Sequence, residues 1–435
     1  MDIVRIGLKE WEILSPDKGS ALEGLKLSSD KSVSDLVDFL SENRKLKILQ
    51  LQKGLLIEAY SYVGTLRLGN IKITIHPKIT GQPLMNLLRY AYGIRNLKLY
   101  TPLKVGVENQ TFQDLLIYQL YLEAKEIISR GIKREYLPWK QDLNTIKGKI
   151  DFGQLLHQGG INKQTIPCIY HPRLEDCIFN RVMKSGLKFS SALTEDPELR
   201  ISIRQTISLL DDYVSDEKLS RDLTAQAKNL ITRLTAAYGS IFNIIELLME
   251  SSGISLEKEQ RIRLPGFLFD MNRFFQALIS RFLKETLRDY TINDEYRIKG
   301  MMSYRPSHNP LNRKSPTPRP DYAVIKNGKL ISLLDAKYRD LWENNLPRDM
   351  LYQLGIYALS QKDNRTSTIL YPAADPLAKE ARVEINDPVY GGRLAQVVLR
   401  PVNLVRLNEI ISEPMTRQRE RDRKKMAFYM TFGSE

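Results

Sequence analysis

Only two cysteines, Cys168 and Cys177, occur in the 435 residues, and they form no CxxC pair. That scarcity excludes a disulfide framework and a cysteine-rich zinc site, and it favours a reducing compartment. Histidine is almost as sparse. His76, His157, His171 and His308 are scattered through the chain, which gives little support to a histidine-based hydrolase centre. No run approaches the roughly 20 apolar residues of a membrane span, and "MDIVRIGLKEWEIL" interleaves acids with its apolar residues. These features read as a cytoplasmic protein with no membrane partner. Also absent is any GxxxxGK[ST] stretch, the loop that cradles nucleotide phosphates, so no nucleotide site is expected in this chain. Work driven by a nucleotide must then come from a partner.

What the chain has in excess is positive charge. Against 51 acids stand 65 lysines and arginines, a formal net charge of +14. An excess of that size points to a polyanionic partner, nucleic acid before others. The length and the 42% hydrophobic content support two or three domains with sizeable cores.

Residues 1–105 read as a β-rich N-terminal module suited to docking on a partner, because "KLKILQLQKGLLIEAYSYVGTLRLGNIKITIHPKI" alternates short apolar runs with polar breaks. Near its end "QPLMNLLRYAYGI" predicts a helix, with Leu84, Leu87, Leu88 and Ala91 on one face. Residues 106–252 read as mainly helical, opening with "TFQDLLIYQLYLEAKEIISRG", where Asp114 lies early, Arg130 late and Gly131 can end the helix. An irregular or β excursion at 136–175 interrupts them. Residues 253–435 alternate helix and strand, an α/β order. The fold class expected is therefore a multidomain α+β protein whose C-terminal domain is built on a mixed sheet. Within that domain "SYRPSHNPLNRKSPTPRP" reads as a flexible polar loop. The charge run Arg417 to Lys425 reads as a solvated helix face.

The chemistry concentrates in "RPDYAVIKNGKLISLLDAKYRD", where two β-rich runs flank Lys326-Asn327-Gly328, a strong hairpin signal. The turn length decides where the charges point. A two-residue Asn-Gly turn pairs Lys326 with Lys329 and Asp321 with Leu334, sending Asp335 and Lys337 to the face opposite Asp321. A three-residue loop with a bulge pairs Asp321 with Leu333 and puts all three charges on one face. The three-residue loop is the expectation. Two carboxylates at one point repel unless a cation sits between them. Mg²⁺ suits such a place, with Mn²⁺ as the alternative, since it takes one or two carboxylates and completes its shell with water and phosphate oxygens. The chemistry implied is phosphodiester hydrolysis, with Lys337 offsetting the developing charge. The same residues also read as an ion-paired hairpin at a sheet edge, where charges discourage aggregation.

Asp321 with Asp335-Ala336-Lys337 resembles the PD-(D/E)XK nuclease pattern, and Gln353 with Tyr357 resembles the QxxxY motif of its RecB-like branch. Together with "HPKI", "LLRYAYGI", "IKGKIDF", "CIYHPRLEDCIFNRVMK" and "LFDMNRFF", these stretches are similar, from about residue 70 to 360 and in order, to the McrC family. Its members are the nuclease subunits of McrBC-type modification-dependent restriction systems. The resemblance implies a Mg²⁺-dependent DNA endonuclease that works with an McrB-like AAA+ GTPase hexamer, stimulates its hydrolysis, and cuts double-stranded DNA carrying modified cytosine. It implies Asp321 and Asp335 as metal ligands, the Ala336 backbone carbonyl as a further ligand, Lys337 as the catalytic lysine, and Gln353 and Tyr357 as supporting residues. One departure stands out. Where many members carry an acid after the apolar-Phe pair of the preceding helix, "MNRFFQAL" places Gln276, which supplies no charge for a second metal. That leaves an alternative open, a DNA-binding adaptor and motor activator whose nuclease fold cuts weakly or not at all. Lys147, Lys149, Arg313 and Lys314 are secondary candidates for phosphate contact, and "RGIKREY" for partner docking.

Overall fold

A computed structural model of the chain describes residues 3–28, 30–95, 111–160, 164–252, 266–362, 364–373, 375–412 and 415–433. Two compact units form, one from Met1–Asn96 together with Arg261–Glu435, the other from Leu97–Gln260. The expected boundary near 105 lies outside the described residues, and the one at 252–253 falls at their edge. The first and last of the three expected segments share one unit, however, and the reason is a strand. Gly266–Asp270 pairs antiparallel with Tyr62–Leu68 and becomes the fourth member of a sheet with Ile71–His76 and Val4–Lys9. Close approach is possible because residue 64 is glycine. Gly64 sits at φ +135° opposite Leu268, and a Cβ there would lie 2.2 Å from the Phe267 carbonyl oxygen. Gly64→Ala is therefore expected to destabilise this unit by about 1–3 kcal/mol, read as a lowered midpoint in thermal or urea unfolding.

The N-terminal part is not wholly β. Lys31–Glu42 is a helix, and Leu36, Val37 and Leu40 pack with Leu46, Ile48 and Ile57 of the neighbouring hairpin in one core. The helix expected near residue 84 spans Gly81–Tyr92, closed by Gly93 in the left-handed conformation.

The second unit is mainly helical, with Phe112–Arg130, Ile178–Leu193, Pro197–Asp211, Arg221–Asn229 and Ala236–Ser251. Thr111 caps the first of these through Asp114 N–H, and the rings of Phe179, Tyr238 and Phe242 pack together in its core. The interruption at 136–175 contains a three-stranded antiparallel sheet of Trp139–Leu143, Ile166–Tyr170 and Lys149–Ile150. Cys168 and Cys177 are buried and free.

The rest of the first unit centres on a six-stranded mixed sheet in the order Thr291–Asp294, Tyr322–Lys326, Lys329–Ala336, Thr366–Ala373, Arg393–Asn403, Ala381–Asn386. Lys329–Ala336, Thr366–Ala373 and Arg393–Asn403 run parallel, and the others antiparallel. A parallel pair needs a crossover. Helix Arg348–Leu359 supplies it, packing Leu354 and Tyr357 with Ile369, Tyr371 and Val397. No helix among the described residues is long and apolar enough to cross a membrane.

Candidate active site on an interior hairpin

The three-residue loop expected at Lys326-Asn327-Gly328 does not form. Lys326 pairs directly with Lys329 across a two-residue turn, with Asn327 at φ 51° and Gly328 at φ 75°. Two positive φ values in succession are what a type I′ turn requires, and its twist matches that of the strands. The face is corrected further along the ladder. Ile325 pairs with Leu330 but Val324 pairs with Ser332, so Ile331 is an extra residue, a β-bulge. Beyond it Ala323 opposes Leu333 and Tyr322 opposes Leu334. One more step sets Asp321 against Asp335 rather than Leu333, and the bulge thereby does what the longer loop was expected to do.

The three charges meet. Lys337 Nζ lies 2.9 Å from Asp335 Oδ2 and 3.7 Å from Asp321 Oδ2. Asp335 is on the third of six strands, not at an edge, and is 1% exposed. An edge ion pair guarding against aggregation is thus not what this hairpin holds. Both oxygens of Asp335 are buried; Oδ2 faces the Lys337 ammonium and Oδ1 has no hydrogen-bond donor. A buried carboxylate without donors is costly unless a cation faces it. Asp321 is better supplied, its Oδ2 accepting from Ala336 N–H at 2.8 Å and Gln276 Nε2 at 3.1 Å. Burial, and then the charge of Asp335, push the Asp321 carboxyl up to about 6. Burial works against the Lys337 ammonium, but Asp335 and Asp321 outweigh it and hold its pKa above the ordinary lysine range.

A family model described as "McrBC 5-methylcytosine restriction system component" matches residues 57–372, well over half of the chain. The chain belongs to that family. It is 24% identical to the "Type IV methyl-directed restriction enzyme EcoKMcrBC" of Escherichia coli (strain K12) over 327 residues, 71% of this chain and 90% of the relative. Its fold is similar to a chain in the "half-complex from tetradecameric assembly of Thermococcus gammatolerans McrB AAA+ hexamers with bound McrC". That match has a TM-score of 0.62 and 19% identity, and covers 97% of this chain and 99% of the other.

Around the three charges of this McrBC-family chain stands a supporting layer. Gln353 Nε2 donates to Tyr357 Oη at 2.6 Å, one helical turn along Arg348–Leu359. Tyr357 is buried, and burial, then the charge of Asp335, raise its phenol pKa. Gln276 donates to Asp321 from helix Met271–Thr286, while its backbone carbonyl accepts from Tyr322 Oη at 2.7 Å. What Ala336 visibly contributes is its N–H, to Asp321.

Four residues join the site that sequence reasoning did not single out. Tyr338 follows Lys337, and its hydroxyl donates to Glu10 Oε1 at 2.9 Å. Its N–H donates to Asn272 Oδ1 at 2.8 Å, and its carbonyl accepts from Trp11 Nε1 at 3.1 Å. Glu10 is 1% exposed, and burial raises its carboxyl to about 7. Trp11 adopts φ 64°, a left-handed conformation that is strained for a bulky side chain. A buried acid inside "LKEWEIL" was the available signal, and only the fold shows that it reaches Tyr338.

Other candidates disperse. No group of three or more His, Cys, Asp or Glu able to hold a metal forms among the described residues. Lys147 lies over the Tyr170 ring, 4.5 Å from its centre. The run from Arg417 opens the helix Arg417–Phe432 and is not wholly solvated: Arg423 pairs with Glu285 and donates to Tyr90 Oη at 2.8 Å.

Proposed function

We propose that this chain is the metal-dependent DNA endonuclease subunit of an McrBC-type restriction complex, with a PD-(D/E)XK catalytic domain on the six-stranded sheet. It acts with an AAA+ GTPase hexamer whose hydrolysis it stimulates. The observation that carries the reading is the buried Asp335 carboxylate, its Oδ1 without a hydrogen-bond donor, beside Asp321 and with Lys337 against both. Two carboxylates with open acceptor capacity fit Mg²⁺ or Mn²⁺, which need no third protein ligand.

Asp321 and Asp335 would hold the ion, together with the Ala336 carbonyl. When bound, the ion polarises the scissile phosphate and lowers the pKa of a water. Lys337 stays protonated between the carboxylates, where it offsets charge building on the phosphate and orients the attacking group. Ala336 N–H and Gln276 fix the Asp321 carboxylate, and the Gln353–Tyr357 pair closes the side toward the crossover helix. Gln276 favours one second reading, an adaptor with a weakened centre, because an amide donor sits where many relatives have an acid. A cleavage assay separates the two. The chain mixed with its cognate motor, GTP, Mg²⁺ and DNA should cut, and it should cut only with all four present. Failure to bind an AAA+ hexamer or to raise its GTPase rate would refute the restriction-subunit reading.

The titration of the centre gives a second test. Asp321 has a folded pKa of about 6 against an ordinary 3.8, and Glu10 about 7 against 4.5. Both raised acids stabilise the fold while protonated, an effect that is full below their ordinary values and lost as pH rises through about 6 and 7. The metal-free chain should therefore melt lower above about pH 7 than near about pH 5. Added Mg²⁺ should recover part of the difference, and an unchanged melting temperature across that window would contradict the assignment.

A further inference from the structure

Between the strands Thr291–Asp294 and Tyr322–Lys326 the chain leaves the sheet and returns with Arg297, Lys299, Arg305, Arg313, Lys314 and Arg319 on board, and with no Asp or Glu from Tyr296 to Pro320. Both ends of this loop are fastened at the level of the candidate active site. Asp294 opposes Tyr322, Glu295 N–H donates to the Asp321 carbonyl at 2.7 Å, and Ile298 N–H to the Pro318 carbonyl at 2.9 Å. Glu295 pairs with Arg319. The remaining cations, Arg297, Lys299, Arg305, Arg313 and Lys314, are all exposed.

The loop, which the sequence reads as a flexible polar bridge, carries a local turn. Asn309 grips Arg313 twice, its Oδ1 accepting from Arg313 N–H at 2.8 Å and its Nδ2 donating to the Arg313 carbonyl at 2.9 Å. Pro306, Pro310, Pro316 and Pro318 fix further backbone angles. A cluster of like charges repels itself, and holding it in a defined shape lowers the ordering cost of meeting an anionic partner.

We infer that residues 296–320 form a DNA-backbone contact site that grips the duplex beside the cleavage centre. The inference rests on the nuclease reading for its choice of partner. A phosphodiester placed at Asp321, Asp335 and Lys337 brings its own neighbouring phosphates with it, one per about 3.4 Å of each strand. Those phosphates meet this loop because the loop both leaves and rejoins the sheet at Asp321. An acidic protein surface would satisfy the charge, but nothing at the site calls for one.

The test uses the full chain, a fluorescein-labelled duplex and Ca²⁺ in place of Mg²⁺, with binding measured over a salt series. For Arg313→Ala/Lys314→Ala the slope of log K against log salt should flatten by about 1.8, about 0.9 for each phosphate no longer neutralised. Between about 50 and 200 mM salt the double variant should then lose about tenfold less affinity than the wild type. Stimulation of the motor's GTPase should stay at the wild-type level. An unchanged slope overturns the inference, and so does a loss of motor stimulation with the slope intact, which would make the loop a protein-docking surface. Asp335→Ala separates the two claims: it should lose cutting, while adding Arg313→Ala/Lys314→Ala to it should still flatten the slope by about 1.8. If Asp335→Ala cuts normally while the loop variant flattens the slope, the catalytic assignment fails and the DNA contact stands.

Discussion

Asp335→Ala is expected to lower DNA cleavage by the assembled complex about 10³-fold or more. A metal's contribution to a phosphoryl transition state is several kcal/mol, and each 1.36 kcal/mol is a factor of ten. Asp335 is the residue to test because it is buried and its only facing donor is the Lys337 ammonium on Oδ2, which leaves Oδ1 as the acceptor most in need of an ion. The same change should leave stimulation of the motor's GTPase intact, since Asp335 lies inside the six-stranded sheet and not on its surface. It should also release Asp321. The charge of Asp335 adds to burial in raising that carboxyl, so Asp335→Asn should move the Asp321 titration toward lower pH in carbon-detected NMR of the metal-free chain. Cleavage and motor stimulation falling together would indicate a folding defect, which the NMR spectrum would reveal.

Lys337→Met should have the next largest effect, and on two quantities. Cleavage should fall about 10²–10³-fold, the usual loss when one preorganised donor is removed from developing charge. Stability should fall as well. Lys337 is 2.9 Å from one carboxylate and 3.7 Å from the other, and removing the cation leaves the buried Asp335 facing the half-buried Asp321. Breaking a buried pair in this way typically costs about 3–5 kcal/mol, and the Asp321 carboxyl, which the Lys337 charge holds down, should then take up its proton at higher pH. Mg²⁺ should raise the melting temperature of Lys337→Met more than that of the wild type, because the ion restores positive charge where the ammonium was. Equal stabilisation of both proteins would place the bound metal elsewhere.

The hairpin shows how far sequence reasoning reaches. Asn327-Gly328 announced a turn, and the period-two rule correctly made the common face of Asp321 and Asp335 depend on an extra residue. Where that residue would sit was illegible: a type I′ turn is compatible with Asn-Gly, and the bulge at Ile331 is set by packing of the strands around it. Helix Lys31–Glu42 was legible in principle, since Val33, Leu36, Val37 and Leu40 carry helical spacing and are buried, but the β-rich run after Lys45 dominated the reading of that segment. The pairing of Gly266–Asp270 with Tyr62–Leu68 left almost no local trace, because a strand's partner about 200 residues away is chosen by tertiary packing. The same applies to the grip of Glu10, Trp11 and Asn272 on Tyr338. These hydrogen bonds help to hold the N-terminal strands and the six-stranded sheet in one compact unit.

The most direct test of the central claim is Mn²⁺ binding to the purified chain, followed by calorimetry or electron paramagnetic resonance without motor or DNA. The wild type should bind the ion, more weakly as pH falls below about 6 where Asp321 takes up its proton. Asp321→Asn and Asp335→Asn should each lose that binding while remaining folded. Undiminished Mn²⁺ binding in both variants would contradict the account.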